Sequence, residues 1–303
     1  MLQDTDRSFG AVTVLVGEKT GKYPDGNSLW IRGRDAAALV DPSLSTGRRA
    51  AGLGAADLAA DLVVLSHVHE DHVAGLARFP AAQVAAHRDD LLGLHDVDGL
   101  LTIYGAADDE RREPMRQWVI EQFHYAPRPD AEPYDDGAVF ELGGTRLTAI
   151  HLPGHTRGHS ALLVEPEGVL FLGDIDLTGF GPYYGDAWSN LDDFERSLAR
   201  VRDIPARVWV SFHHAGVIED RATFLAKLER FAGRIAERDA ALLDYLAEPR
   251  TLAQLVAHRF LYPPHAQLSW IDAAERRTIL QHLERLVGGG RVIECAPSTW
   301  RRA

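Results

Sequence analysis

The chain contains 303 residues, of which 46% are hydrophobic, and its 32 Lys and Arg against 44 Asp and Glu give a formal net charge of -12. This hydrophobic content is typical of a globular protein and excludes a disordered or collagen-like chain. The acidity argues against a nonspecific binder of polyanions, because phosphate contacts need an excess of basic residues.

Short strands are predicted in the first third of the chain, separated by polar turns rich in glycine. They are expected at Ala11–Gly17, Ser28–Arg32, Ala37–Asp41 and Leu62–Ser66. The last of these is a continuous apolar run, which is typical of a buried strand. We expect one short helix before it, at Gly54–Ala60, and another after it that starts near Asp71 or His72.

A charged region then interrupts the strands. Residues 88–125 have helical spacing and carry aromatic residues such as Tyr104 and Trp118, which indicates a helical insertion or lid rather than core sheet. Strands resume at Ala138–Leu142, Arg146–His151, Ser160–Glu165, Val169–Gly173 and Arg207–Phe212. Before the last of these, apolar residues recur at helical spacing over Leu191–Arg202 and predict an amphipathic helix.

The chain becomes mainly helical from Ala222 onward, and its composition changes near Ala247. The expected elements are a helix at about 252–260 with Thr251 as N-cap, a helix at 272–287, a turn at Gly288–Gly290 and a strand at Arg291–Glu294. This order predicts a small, mostly helical, winged-helix-like domain over 233–303. Residues 1–232 would form the main domain, of layered α/β class.

The densest group of histidines follows a predicted buried strand, in the run His67-Val68-His69-Glu70-Asp71-His72. Alternation with Val68 directs His67 and His69 to the same side, and Asp71 and His72 face the loop from the other side. Imidazole and carboxylate groups are ligands that suit zinc and other first-row divalent ions. Three histidines and an aspartate within six residues therefore predict a metal site.

Three further motifs carry the same residue types, and each follows a predicted strand. They are Pro153-Gly154-His155-Thr156-Arg157-Gly158-His159-Ser160, Gly173-Asp174 and His213-His214-Ala215-Gly216. Ligands bind at the carboxyl ends of the strands in open α/β sheets. We therefore expect all four motifs to form one site.

Together, the four motifs resemble those of the metallo-β-lactamase superfamily. The patterns are HxHxDH at 67–72, PGHTxGHS at 153–160, Gly-Asp at 173–174 and a late histidine at a strand end, and the resemblance covers roughly residues 10–220. It implies a four-layer αββα sandwich. The PGHTxGH form is most similar to glyoxalase II and its lactonase and esterase relatives. The C-terminal part resembles the winged-helix domain that follows this fold in some β-lactamase-like proteins, including endoribonucleases.

The resemblance implies a pair of metal ions and a role for each motif residue. The ligands of the first ion would be His67, His69 and His155. The ligands of the second ion would be Asp71, His72 and His214. Asp174 would bridge both ions, and Asp71 and Asp174 would be the catalytic carboxylates.

The last ligand has an alternative within the same motif. The family pattern places its histidine at His214, but His213 then replaces the usual glycine and is the other candidate. The second histidine of PGHTxGH is not a ligand in the family, so His159 is expected to have a structural role. Asp41 and Asp176 are candidates for carboxylates that orient the ligating imidazoles.

Two zinc ions are the expected cofactor, with iron or manganese as alternatives. Five neutral imidazoles, two carboxylates, two divalent ions and a bridging hydroxide leave a charge of about +1, so the centre would attract an anionic substrate. Metal coordination lowers the pKa of water to roughly 7 and supplies hydroxide at neutral pH. We expect attack on the carbonyl of a small ester, thioester or lactone. Tyr183 and Tyr184 are candidates for a pocket position that donates a hydrogen bond to the developing oxyanion, and aromatic packing of their loop is the alternative.

Two alternatives within the same fold stay open. One is an iron-dependent oxidoreductase similar to persulfide dioxygenases. The other is an endoribonuclease whose winged-helix-like domain binds RNA through a helix that carries Arg276, Arg277, His282 and Arg285. Residues 233–303 have 10 Lys and Arg against 8 Asp and Glu, but the rest of the chain has 22 against 36, which opposes RNA binding. We expect instead that this domain packs on the main domain or on a second copy in a homodimer.

Two features bear on where the protein works. A single cysteine, Cys295, cannot form an internal disulfide, which is typical of a reducing compartment. The start of the chain is polar and acidic, unlike a signal peptide, and no apolar run approaches the ~20 residues that a membrane span needs. We therefore expect a cytoplasmic protein without a membrane segment, which also disfavours an exported β-lactamase.

Overall fold

Three sheets are present in the residues that the computed structural model describes, 3–52, 58–106, 110–266 and 268–303. The first contains, in spatial order, β1 (Arg7–Phe9), β2 (Val12–Leu15), β3 (Ser28–Arg32), β4 (Ala37–Val40), β5 (Leu62–Val64), β6 (Gln83–His87) and β7 (Glu132–Tyr134). The second contains, also in spatial order, β8 (Val139–Glu141), β9 (Arg146–His151), β10 (Ser160–Glu165), β11 (Val169–Phe171), β12 (Val208–Val210) and β13 (Val217–Ile218). The third contains β14 (Arg250–Thr251), β15 (Val292–Ala296) and β16 (Thr299–Arg302), with β16 in the centre.

Eight α-helices accompany these sheets within the same ranges of the chain. They are α1 (Leu44–Gly52), α2 (Leu92–His95), α3 (Val97–Tyr104), α4 (Arg112–Phe123), α5 (Leu191–Val201), α6 (Arg221–Tyr245), α7 (Leu252–His258) and α8 (Ile271–Gly288). None of the helices in the described ranges is both long and apolar enough to cross a membrane.

The two large sheets pack face to face, with helices on both outer faces. Fully buried side chains from both sheets fill the space between them, among them Val14, Ile31, Val40, Leu162, Val164 and Phe171. A second apolar core lies between the first sheet and helices α3 and α4, and a third lies between the second sheet and helices α5 and α6. This is the four-layer αββα sandwich that the motifs predicted.

Strand β10 shows why the buried strands have continuous apolar sequences. Leu162 and Val164 belong to the core between the sheets, whereas Ala161 and Leu163 belong to the core under α5 and α6. Successive side chains of a strand point to opposite faces, so a strand in an inner layer must be apolar at nearly every position.

The carboxyl ends of strands from both sheets meet at one edge of the sandwich. The pairs β4–β5 and β5–β6 are parallel in the first sheet, and β11–β12 is parallel in the second. Asp41 follows β4, residues 66–72 follow β5, and Asp174 and His213 follow β11 and β12. The sheet topology therefore brings the histidine motifs together.

The two helices predicted on either side of β5 differ from the structure. The prediction at Gly54–Ala60 falls largely on residues 53–57, which lie outside the described residues, and α1 precedes them in the chain. The helix predicted to start near Asp71 or His72 is wrong, because residues 66–75 form turns. The backbone N–H groups of His72 and Val73 both donate to the His69 carbonyl, which closes a tight turn that carries the motif side chains into the site.

The helical interpretation of residues 88–125 is confirmed, because α2, α3 and α4 lie within this range. Six of the strands in the described residues were not predicted: β1, β6, β7, β13, β14 and β16. Strand β6 was missed because Gln83–His87 is rich in alanine and has only Val84 as a β-branched residue, so its propensity for a strand is weak.

Among the C-terminal elements, two helices and one strand match their predicted positions. Helices α7 and α8 and strand β15 lie where they were expected, and Thr251 caps α7 in a capping box with Gln254. Ten buried residues, including Leu255, Leu283 and Trp300, form an apolar cluster of their own here. The predicted domain boundary after residue 232 falls inside the 25-residue helix α6, and the division into two domains stays a prediction.

Candidate metal centre

Two groups of histidine and aspartate side chains lie side by side at this edge of the sandwich. The first group contains His67, His69, His155 and Asp174. The second contains Asp71, His72 and His213. Within each group the potential ligand atoms lie within 4.8 Å of one another. The four motifs therefore converge, as the strand ends predicted.

The first group surrounds His155. The Nε2 atom of His155 lies 3.0 Å from His69 Nδ1 and 3.2 Å from Asp174 Oδ2. The His67 ring stands edge-on to both imidazoles, with centroids 4.8 Å from His155 and 4.7 Å from His69. Three imidazoles and one carboxylate thus face a common point.

Asp174 connects the two groups. Its Oδ1 atom lies 2.9 Å from His72 Nε2, while its Oδ2 atom faces His155. In the second group, His213 Nε2 lies 2.9 Å from Asp71 Oδ2 and 3.9 Å from Asp174 Oδ1. One carboxylate therefore offers one oxygen to each group, which is the arrangement of a bridging ligand.

The structure places His213, and not His214, in the second group. His214 has a positive φ of 51° and an exposed side chain, so the backbone turns it away from Asp71 and His72. It contributes only to the wall of the adjoining pocket. The expectation that His214 joins the group is thereby corrected, and the other histidine of the pair takes its position.

The protein holds the second ring nitrogen of each of these five histidines. The partners are Ser66 Oγ for His67, Asp186 Oδ2 for His69, Asp41 Oδ2 for His72, the Tyr183 carbonyl for His155, and the Gly21 and Asp25 carbonyls for His213. The distances extend from 2.6 Å at Asp41 to 3.3 Å at Asp186. Such partners fix the ring orientation and raise the basicity of the nitrogen that faces a metal ion.

The two candidate orienting carboxylates differ in what they contact. Asp41 is fully buried and faces the His72 ring, which is the contact expected of an orienting group. Asp176 instead accepts a hydrogen bond from the backbone N–H of His213 at 3.3 Å. Burial and then the nearby Asp174 carboxylate raise the pKa of Asp176 to about 7.

The donor set fits a pair of divalent ions. His67 Nε2 is buried and, among the described residues, has no hydrogen-bond partner. A buried polar atom without a partner is costly unless a ligand satisfies it. Imidazole and carboxylate groups are ligands that zinc, manganese and iron all accept, so the residues present fit metal ions without selecting one.

The charges in the site also favour a cation. Burial lowers the pKa of His213, but the carboxylates of Asp176, Asp174 and Asp71 outweigh burial and raise this pKa to about 10. Burial also lowers the pKa of His72, and Asp174 is the first of the carboxylates that raise it well above its usual range. Protons on these two histidines therefore balance the carboxylates when no cation is bound.

The glycine before Asp174 is required by the packing of His159. Gly173 has a φ of 55°, and a Cβ atom there would lie 2.6 Å from His159 Nε2. His159 Nε2 accepts a hydrogen bond from the Asp174 N–H at 3.1 Å, and its Nδ1 lies 2.9 Å from the Leu152 carbonyl. His159 therefore supports the backbone at Asp174 and lies outside both ligand groups.

A pocket of about 310 Å³ opens over the two groups. Its wall includes parts of α4, the loop 180–186 and residues 262–277. Tyr183 lines the pocket, and its hydroxyl donates to Asp186 Oδ1 at 3.1 Å. The pocket position predicted for Tyr183 therefore agrees with the structure.

Tyr184 does not line this pocket, so the pocket role predicted for it is wrong. It is fully buried, and its hydroxyl lies 2.9 Å from His282 Nε2 and accepts a hydrogen bond from Arg238 at 2.9 Å. Adjacent residues of an extended segment point in opposite directions. Tyr183 faces the metal ligands, so Tyr184 faces helices α6 and α8.

The hydrogen-bond partners of Glu70 could not be predicted from the sequence. The hydroxyl of Tyr104 donates to one oxygen of the buried Glu70 carboxylate, and the hydroxyl of Tyr23 donates to the other at 3.0 Å. Tyr104 comes from α3 and Tyr23 from the loop before β3. No spacing in the sequence relates three residues so far apart. Asp186 was also missed, because it lies in an irregular loop without a motif.

Most of the α8 side chains that were considered for RNA binding face the main body of the protein. Arg277 donates to the Gly105 carbonyl at 2.8 Å, and Arg285 donates to Glu195 of α5 at 2.6 Å. His282 is buried. Three of the four residues therefore contact the rest of the protein or are buried, whereas Arg276 is exposed.

The similarity of this chain to a known protein family and to curated proteins is consistent with a metal site at this position. The family model for the metallo-β-lactamase superfamily matches residues 23–230. An acyl-coenzyme A thioesterase (MBLAC2) of Gallus gallus is 32% identical over 202 residues, which are 61% of this chain and 70% of the relative. A hydroxyacylglutathione hydrolase of Aeromonas salmonicida is 31% identical over 183 residues, which are 58% of each chain.

Solved structures show the same architecture. A metallo-β-lactamase family protein of Thermus thermophilus superposes with a TM-score of 0.71 at 26% identity, covering 97% of this chain and 99% of its own. A β-lactamase domain protein of Burkholderia ambifaria superposes with a TM-score of 0.70 at 17% identity, covering 98% and 93%, and shows the fold alone. Both similarities extend beyond the sandwich into residues 233–303, which we call the C-terminal segment.

Proposed function

The chain belongs to the metallo-β-lactamase superfamily, and on this basis we propose that it is a hydrolase that uses two divalent metal ions to cleave a small ester, thioester or lactone. The observation that carries the proposal is the position of Asp174, whose two carboxylate oxygens face two separate groups of histidines. A carboxylate shared in this way suits two ions rather than one.

Each ion would have its own histidine ligands. The first would be held by His67, His69, His155 and Asp174. The second would be held by Asp71, His72, His213 and Asp174. When bound, such a pair supplies hydroxide at neutral pH and stabilises negative charge on the carbonyl oxygen of the substrate. Zinc is the proposed metal, with iron and manganese as the alternatives that the same ligands accept.

The side chains around the ions would move the proton and orient the substrate. Asp71, which has a carboxylate oxygen 2.9 Å from His213 Nε2, would accept the proton of the attacking water. The hydroxyl of Tyr183, which donates to Asp186 in the structure, would turn from Asp186 and donate to the carbonyl oxygen of the substrate. Burial and the Asp186 carboxylate raise the pKa of Tyr183 well above its usual range, so this residue acts as a donor and not as a base.

The names of two relatives favour a thioester. One is named for acyl-coenzyme A and the other for hydroxyacylglutathione, and in both compounds a large anionic thiol carries the acyl group. The pocket wall of this protein includes Arg111 and Arg277, which both donate to the Gly105 carbonyl, at 2.7 and 2.8 Å. We therefore propose that a thiol of this kind carries the acyl group of the substrate.

The proposal is tested by a screen of thioesters, esters, lactones and phosphodiesters with protein loaded with zinc, manganese or iron. We expect thioester hydrolysis by the zinc form, and we expect His69→Ala to lose bound metal and essentially all activity. His95→Ala is the matched control, because His95 is exposed on α2 and should retain both.

Three outcomes would contradict the proposal. Full activity in His69→Ala would exclude the metal centre as the site. One iron per chain together with oxygen consumption would instead indicate the oxidoreductase. Cleavage of RNA that persists at about 200 mM salt would indicate the endoribonuclease, because nonspecific phosphate contacts weaken steeply with salt.

A further inference from the structure

One side of the pocket is apolar and is built by segments far apart in the chain. We call it the apolar wall, and it consists of Met115, Trp118, Phe180, Tyr262, Leu268 and Trp270. The first two come from α4 and the last three from the C-terminal segment. The two contributions meet at Trp118 and Trp270, whose ring centroids lie 5.2 Å apart.

Buried charged groups hold this wall in place. The carboxylate of Glu275 is fully buried and accepts hydrogen bonds from the backbone N–H groups of residues 260–262, at 2.8 to 3.0 Å. A buried carboxylate is tolerated only when it is hydrogen-bonded in this way, so the turn that carries Tyr262 is fixed. Arg238, also buried, donates to the Phe180 carbonyl at 2.7 Å, and the rings of Phe180 and Tyr262 lie 5.5 Å apart.

The volume of the pocket limits what the wall can bind. A cavity of about 150 Å³ holds one benzene, so 310 Å³ corresponds to roughly twelve non-hydrogen atoms, of which about eight remain for an acyl chain after the reacting atoms. None of the six wall residues carries a charge, so the wall does not suit an anionic carrier. It suits the apolar part of a substrate whose carbonyl lies at the metal ligands.

We infer that the apolar wall is the subsite for the acyl group, and that the preferred substrates carry an apolar acyl group of about eight carbons rather than a short or charged one. This inference rests on the proposed function and names the acyl class for it. The C-terminal segment is then part of the substrate pocket, because it supplies half of the wall.

The first test compares acetyl and octanoyl thioesters of the same thiol with the zinc-loaded protein. Burial of each methylene is worth several-fold in affinity, so we expect kcat/KM to be at least tenfold higher for octanoyl, through a lower KM. Trp270→Ala should reduce this preference about tenfold, because it removes the largest side chain that the C-terminal segment adds to the wall. Leu268→Asp is the second variant, because Leu268 is 50% exposed and its replacement does not threaten folding. Ile120→Ala, on the exposed side of α4, should change nothing.

The second test measures binding without catalysis, by calorimetric titration of octanoate and of acetate into the zinc-loaded protein. We expect octanoate to bind at least tenfold more tightly and to lose this advantage in Leu268→Asp. That result would support the subsite even if no thioester were hydrolysed, so failure of the hydrolase proposal stays distinguishable. Equal binding of the two acids, or an octanoyl preference that both variants retain, would overturn the inference.

Discussion

At the scale of single residues, the contact behind each imidazole decides which nitrogen faces the metal position. Asp41 holds Nδ1 of His72, so Nε2 of His72 faces Asp174. His69 is reversed, because Asp186 lies at its Nε2 and leaves Nδ1 facing His155. Contacts within the protein therefore fix the ring orientations, which lowers the cost of assembling the site.

These contacts lead to a prediction about protons. At pH 7 the raised pKa values of His72 and His213 keep both imidazoles protonated in the metal-free protein, and both must lose a proton to bind a metal ion. We therefore expect zinc binding at pH 7 to release at least two protons, because each of these side chains gives up one and formation of hydroxide from bound water adds to them. Calorimetry in two buffers with different ionisation enthalpies measures this number.

Two variants separate the adjacent histidines. His213→Ala should release about one proton fewer than the wild type and bind the second ion weakly, whereas His214→Ala should behave as the wild type. If zinc binding released no proton, or if the two variants exchanged their behaviour, the assignment of His213 would be refuted.

His213 and His214 show which property of a single residue cannot be predicted from the sequence. The strand end and the spacing of the motif indicate that a histidine near residue 213 reaches the site, but the choice between neighbours depends on one backbone angle. The positive φ of His214 is set by the turn after β12, which the sequence does not reveal. Tyr183 and Tyr184 were indistinguishable for the same reason, because a shift of one residue reverses the side to which a side chain points.

At the scale of elements, the loop 180–186 links the C-terminal helices to the metal ligands. On one side, Arg238 of α6 donates to the Pro182 carbonyl at 2.6 Å, and Gln281 of α8 donates to the Tyr184 carbonyl at 2.9 Å. On the other side, the Tyr183 carbonyl accepts from His155. The position of this ligand therefore depends on helices that lie outside the motifs.

Arg238→Met tests this dependence, since it keeps an unbranched apolar stem and removes the hydrogen bonds of the side chain to the loop. We expect the affinity for zinc to fall on the order of tenfold, because partners that orient ligands typically contribute this much. Competition with a chromophoric chelator measures the affinity. Arg234→Met is the control on the same helix, where Arg234 pairs with Glu237 at the surface. Unchanged zinc affinity in Arg238→Met would show that the loop is held by other contacts.

Elements were predicted well where the sequence pattern is local. The strands β3, β9 and β10 and the helix α5 follow from apolar periodicity, and α7 follows from Thr251 as its N-cap. The loop 180–186 has no such pattern, and its conformation depends on contacts with helices about 55 to 100 residues further along the chain. Long-range contacts of this kind leave no periodic signal.

At the scale of the whole molecule, the C-terminal segment and the αββα sandwich share a pocket. The sandwich supplies the metal ligands, and the segment supplies Tyr262, Leu268 and Trp270. The net charge also differs between these two parts, because residues 233–303 carry a small positive excess and the rest of the chain is strongly acidic. Two basic groups of α8, Arg277 and Arg285, are directed inward and bind acceptors of the sandwich.

The central claim is that two metal positions sharing Asp174 form one hydrolytic centre. The most direct test is to remove all metal with a chelator and to measure thioester hydrolysis while zinc is added back in known equivalents per chain. The account predicts negligible hydrolysis at first and a rate that rises until about two equivalents are bound, one for each group of ligands. Hydrolysis that is already maximal in the metal-free protein, or that reaches its plateau at one equivalent, would contradict it.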